Sequence, residues 1–190
     1  MIFVRPLALA LALVAPPVAA GEIADKAAEV ETLLGSGDEM GAIASAREVL
    51  GKAWDATSAL AIGETVLISE PASGYGIYNP RPNDTFKIGE PVLIYAEPMG
   101  FGYGTPSEGL YSIGFFVDLK VVNEAGEVLG DLMDITELDL TSRHPNREFQ
   151  ANLTYNLTGV PPGRYVLQTT LRDKNSGKAA TFENTVEFVE

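Results

Sequence analysis

The chain has 190 residues, 13 basic against 26 acidic, a formal charge of -13 and 46% hydrophobic content. An excess of carboxylates with no basic patch excludes a nucleic-acid partner, because phosphate backbones are bound by neutralising them. The absence of Cys excludes disulfides, thiolate catalysis and thiolate metal ligands.

Residues 1–20, MIFVRPLALALALVAPPVAA, have the order of a secretory leader: Arg5, an apolar run from Leu7 to Ala15, then the small-residue site Val18-Ala19-Ala20. Cleavage is expected after Ala20, with no transmembrane segment left in the mature chain. The run is interrupted by Pro6, Pro16 and Pro17, and no later stretch is apolar over the length a membrane span needs. The Ala-rich leader resembles bacterial ones, which implies a periplasmic or secreted protein.

Residues 22–60 carry helical spacing. Ile23, Ala27, Val30 and Leu34 recur at three- and four-residue intervals, and Gly35 offers a stop. Ser36 and Glu39 have capping-box spacing, and Ile43, Ala46, Leu50, Ala53 and Trp54 draw the apolar stripe of a second helix. The stretch from Leu33 to Leu50 resembles a single tetratricopeptide-type hairpin. Such repeats bury their faces by stacking, so one copy implies docking on the rest of the chain or on a partner.

From residue 64 to 190 the period becomes two. Phe149, Ala151, Leu153, Tyr155 and Leu157 alternate with polar residues, and Val92–Ala96, Phe115–Val121, Tyr165–Leu171 and Phe182–Phe188 repeat the pattern. Less regular strands are expected over Thr65–Ser69 and Glu127–Met133, with turns at Asn123–Gly126, Pro161–Gly163 and Asp173–Gly177. About seven strands without intervening helices predict an antiparallel β-sandwich, since a second sheet must cover each apolar face. The segment Val160-Pro161-Pro162-Gly163-Arg164-Tyr165-Val166-Leu167, with the following turn to Lys178, resembles the penultimate hairpin of immunoglobulin-like and fibronectin-type-III-like modules. The resemblance implies an immunoglobulin-like sandwich in which Tyr165 makes a structural corner, its hydroxyl bonded to backbone a few residues upstream. The Cys pair of antibody domains is missing, and Trp54 lies outside the expected sandwich.

More than half of the aromatic residues fall between Tyr75 and Phe116. Tyr75, Tyr78, Phe101 and Tyr103 lie in Gly- and Pro-rich loops, with Arg81 beside the first pair, and these five form the candidate binding set. Tyr supplies area and a polar tip at low entropy cost, which suits recognition of a protein or glycan. The alternative for the same rings is burial at the end of the sandwich.

Other chemistry has thinner support. Gly100–Gly104 precedes no Lys and no helix, so it is not a phosphate loop. Asp131, Asp134, Glu137 and Asp139 lack the spacing of a calcium loop and read as a charged, solvated strand edge. His144 is the only histidine and stands beside Arg143 and Pro145, so no multi-imidazole metal site exists and no metal or cofactor is expected. A carboxylate pair drawn from Glu70, Glu97, Glu108 and Asp118 would suit a small secreted hydrolase. Asn152, Asn156 and Asn83 match the glycosylation pattern, and the first two read as outward strand positions that join Gln168, Thr170, Thr181 and Thr185 in one polar face. The expected function is a non-enzymatic binding or adaptor module; the alternatives are the hydrolase and a structural subunit of an envelope complex.

Overall fold

The computed structural model describes residues 21–190; the expected leader, residues 1–20, lies outside the described residues. The chain divides into two compact units, one ending at Ala53 and the other running from Trp54 to Glu190.

The first unit is a helical hairpin. Helix α1 (Glu22–Ser36) opens with Glu22 and Asp25 at its positive end and closes on Gly37, whose φ of 79° lets the chain turn. The Gly37 N–H reaches Leu34 O and the Asp38 N–H reaches Leu33 O. Helix α2 (Glu39–Asp55) is then capped by Asp38, whose carboxylate accepts the Gly41 N–H at 2.9 Å. The sequence places the stop at Gly35 and the cap at Ser36, two residues early. Ser36 instead turns its hydroxyl back to Leu33 O, because the left-handed residue is Gly37. Lys26 pairs with Glu48 at 2.9 Å and Lys52 with Glu22 at 2.7 Å, tying the antiparallel helices together. The buried positions of α2 are Ala42, Ser45 and Gly51, whereas Ile43 and Leu50 of the expected stripe are each 51% exposed. No helix among the described residues is long and apolar enough to cross a membrane.

The second unit is β-rich. Its strands are β1 (Ala61–Leu67), β2 (Thr85–Lys87), β3 (Val92–Met99), β4 (Tyr111–Asn123), β5 (Val128–Ser142), β6 (Ala151–Tyr155), β7 (Gly163–Asp173) and β8 (Ala179–Val189). One sheet has the order β1-β3-β6 and the other β2-β8-β7-β4-β5. Alternation decides the inner faces: Val92, Ile94, Ala96, Ala151, Leu153 and Tyr155 from the first sheet share a core with Phe115, Val117, Leu119, Leu167, Leu171 and Val186 from the second. One polar contact bridges the sheets inside that core, between the Tyr155 and Thr169 hydroxyls at 2.8 Å.

The expected set of about seven antiparallel strands needs correcting in number and direction. Three residues of β2 are too few to show a period, yet they pair in parallel with β8 and bury Phe86 against Phe188. The first strand begins at Ala61, ahead of the boundary drawn at residue 64. The strand expected to end at Met133 runs on to Ser142, because the acidic residues that suggest solvent are the outward half of a paired strand.

Candidate functional site

Residues 68–80 fold over the outer face of the three-stranded sheet and are fastened there by their own backbone. Ser69 N bonds Asn79 O, Ser73 N bonds Ile77 O, Ile77 N bonds Gly74 O, and Arg81 N bonds Leu67 O. From β6, the Asn152 amide clasps Ala72, accepting its N–H and donating to its carbonyl, both at 3.0 Å. Ile68, Ala72 and Tyr95 make a small buried core beneath, with Val66, Tyr78 and Leu93 packed around it.

Tyr95 is the pivot. Its hydroxyl accepts the Gly76 N–H at 2.7 Å and donates to Glu97 Oε1 at 2.5 Å, while its ring lies 4.3 Å from that of Tyr78. Desolvation raises the phenol of Tyr95 above its ordinary value, and the Glu97 carboxylate adds to the shift. Tyr75 and Tyr78 are raised by the same cause first; Glu97 is the second cause at Tyr75 and Glu64 at Tyr78. Both rings are half-buried, and the large apolar side chain that the loop leaves outward is Ile77, 62% exposed. A cleft of about 300 Å³ beside it is lined by Glu70, Pro71, Ser73, Ile77, Tyr78 and Asn79.

The remaining members of the candidate set have structural work. Phe101 is 1% exposed and packs edge-on against Trp54, Tyr103, Phe115 and Phe149, so it is core and is withdrawn from the binding set. Tyr103 donates to Asn146 O at 2.8 Å, and burial pushes its phenol up to about 12. Arg81 lies 3.9 Å over the Phe86 ring, donates from one terminal nitrogen to Thr85 O at 2.7 Å and pairs through the other with Glu90 at 2.8 Å, while its buried Nε has no hydrogen-bond partner. Tyr165 donates to Pro161 O at 2.9 Å while its ring packs near Phe188. Trp54, placed outside the sandwich from the sequence, packs on the main core and donates its indole N–H to Phe101 O at 2.8 Å.

The glycines around Phe101 serve close approach. A Cβ on Gly102 would meet Ser176 N at 3.2 Å, and one on Gly104 would lie 2.5 Å from Ser112 Oγ and 2.6 Å from Asn175 Oδ1. That neighbouring turn is gathered by Asp173, which is buried and accepts bonds from Gly102 N, Asn175 N and the Ser176 hydroxyl. The Gly-rich loop is thereby locked to the β7–β8 turn, and its glycines are not a source of adaptability.

The carboxylates of the hydrolase alternative are scattered. Asp118 takes two bonds from Arg172 at 2.8 and 3.1 Å and a third from Asp134 N; the guanidinium holds its carboxyl below the usual range. It lies on the outer face of the five-stranded sheet, whereas Glu97 lies on the outer face of the other. Glu70 accepts from Asn79 at 2.6 Å, and Glu108 is exposed. His144 is exposed, and its carbonyl accepts from Ser142. Asp131, Asp134, Glu137 and Asp139 lie on β5 and pair with Lys120, Arg172 and Lys174. Among the described residues no group of three or more His, Cys, Asp or Glu is placed to hold a metal ion. The proposed polar face is split: Gln168 bonds Glu183 and Thr170 bonds Thr181 on one sheet, while Asn152 belongs to the other.

No protein-family model matches the sequence, and no curated protein matches it. Similar solved structures include a superoxide reductase (neelaredoxin) from Ignicoccus hospitalis, 12% identical over 75% of this chain and 87% of that one, with a TM-score of 0.36. An alkylpurine DNA glycosylase from Pseudomonas fluorescens, bound to DNA containing an abasic site analog, is 12% identical over 86% of this chain and 42% of its own, with a TM-score of 0.37. A family 123 glycoside hydrolase from Clostridium perfringens is 13% identical over 69% of this chain and 27% of its own, with a TM-score of 0.34. The chain thus spans less than half of the last two, and similarity at this level carries neither activity nor ligand to it.

Proposed function

We propose that the protein is an exported, non-enzymatic binding or adaptor module that recognises a partner protein through the loop at residues 69–80. The observation that carries this is an exposed Ile77 on a loop already fixed by backbone bonds, the Asn152 clasp and the Tyr95 hydroxyl. Ordering entropy spent during folding is not spent again on binding, so a rigid apolar tip flanked by Tyr75 and Tyr78 suits recognition. An aliphatic tip favours a protein over a glycan, whose hydroxyls would be left unpaired against it.

The scaffold is read as an immunoglobulin-like sandwich. Supporting this are the two sheets around one core, the β7–β8 hairpin, and the Tyr165 hydroxyl bonded four residues upstream to Pro161. A second reading, a subunit of an envelope complex, draws on Leu34, Met40, Ile43 and Leu50, which the helical hairpin leaves exposed.

A photo-crosslinking residue at position 77, compared with one at Glu124 in an exposed turn, tests the binding reading in native envelope and medium. A defined protein adduct at 77 and none at 124 is expected. No adduct at 77, or the same adducts at both, overturns it; oligomer loss on deleting residues 22–53 would favour the subunit.

A further inference from the structure

Strand β5 is the edge of the five-stranded sheet: it pairs with β4 on one side and, among the described residues, with no strand on the other. It is 15 residues long, and its sequence VLGDLMDITELDLTS contains no Pro, Lys or Arg, the usual guards of an open edge. Its first half is distorted. Between the pairs Leu119–Leu132 and Val117–Thr136 the strand takes up extra residues, with Asp134 at a φ of 53°. From Thr136 to Ser142 it pairs with Val117–Tyr111 without a shift, leaving a regular template on its free side.

The two faces of that template differ. Leu138 and Leu140 stand opposite Phe115 and Ile113 on the core side, yet with Glu137 and Asp139 they border an open groove of about 340 Å³ whose other wall is Phe149, Gln150 and Asn152. The groove is open because the facing sheet ends at β6. On the outer side Glu137 and Asp139 both bind Lys174, which is 19% exposed, while they are 55% and 65% exposed. One sheltered cation serves two carboxylates whose open sides face solvent.

We propose that Thr136–Ser142 is a strand-addition site for an extended segment of a partner protein in which basic and apolar side chains alternate. Backbone bonds to the free edge supply affinity, and the period of two sends one set of side chains into the groove with Leu138 and Leu140 and the other over Glu137 and Asp139. A second copy of this chain is disfavoured as the occupant. Antiparallel pairing of β5 with itself brings these carboxylates against one another, and like charges across strands repel. The same residues that prevent self-pairing select a cationic strand.

The test uses the mature protein and three fluorescent nonapeptides: alternating Lys and Val, the same peptide N-methylated on alternate residues, and alternating Glu and Val. Anisotropy at physiological salt, with amide exchange to locate binding, is expected to show binding of the unmodified Lys/Val peptide and protection confined to Thr136–Ser142. Glu137→Lys with Asp139→Lys should weaken that peptide about tenfold or more and admit the Glu/Val one, while the milder Glu137→Gln, which keeps the fold even if the double variant does not, weakens it about threefold. Equal binding of the N-methylated peptide, protection at residues 69–80, no binding at all, or a β5-paired dimer of the free protein overturns the proposal. Ile77 variants leave every arm unchanged, so the two surfaces fail or stand separately.

Discussion

Replacement of Phe101 by Ala separates core from recognition in the Gly-rich aromatic loop. The ring is 1% exposed and touches Trp54 at 4.9 Å, Tyr103 at 5.5 Å, Phe115 at 5.8 Å and Phe149 at 6.0 Å between centroids. Deleting a buried Phe costs about 3–5 kcal/mol, because the transfer energy of the ring is lost and the surrounding cavity collapses only in part. The locked contacts of Gly102 and Gly104 restrict that collapse, which places the cost towards the upper end. At about 3 °C per kcal/mol for a chain of this size, the melting temperature should fall by about 10–15 °C. Trp54 is the chain's single tryptophan and reports the same event, its emission shifting to the red as its edge-to-face neighbour disappears. Calorimetry and fluorescence on the purified variant measure both. A fall below about 3 °C with unchanged emission would refute the argument and return Phe101 to the binding surface.

Ile77→Asp, by contrast, should change the melting temperature by less than about 2 °C, since exposed substitutions away from special backbone sites are worth about 0.5 kcal/mol, while abolishing the position-77 adduct's partner in competition assays. Asp118→Asn should cost about 2 kcal/mol at neutral pH, the scale of a charge-assisted bond to Arg172. Because the folded carboxyl titrates below its ordinary 3.8, the parent keeps this contribution above that pH and loses it as acid reaches the folded value; urea melts should show a flatter acid limb in the variant. Tyr155 is pushed up from 10.0 to about 12 by burial, so the unfolded chain releases this proton first and stability falls between those values by about 3 kcal/mol. Tyr155→Phe should lessen that alkaline loss, and an unchanged slope of stability against pH would contradict it.

The inner faces of the sheets were legible because burial imposes a period of two, and Phe149–Tyr155 or Tyr165–Leu171 announce it in the residues themselves. Pairing is written less locally. Parallel β2 has three residues, and nothing among them points to Val189 a hundred residues later. The helix boundary slipped because Gly35 and Gly37 are equally glycine in composition and only backbone geometry chooses between them. At the site, composition gathers the loop rings into one set but cannot sort them. Phe101 and Tyr78 both sit among glycines; a neighbouring turn whose Asp173 carboxylate accepts the Gly102 N–H at 2.6 Å separates them, and that turn lies some seventy residues away. Tyr95 was missed as the pivot because it reads as one more residue of a strand.

Asp173 has a consequence for the order of events in folding. Its bond to Gly102 spans 71 positions, and the Lys178 bonds to Gly100 and Thr57 span 78 and 121. Closures over such separations are entropically late, and they wait on the β7–β8 hairpin, which is local. The aromatic end holding Trp54 and Phe101 therefore stays open until the turn carrying Asp173 and Lys178 has formed.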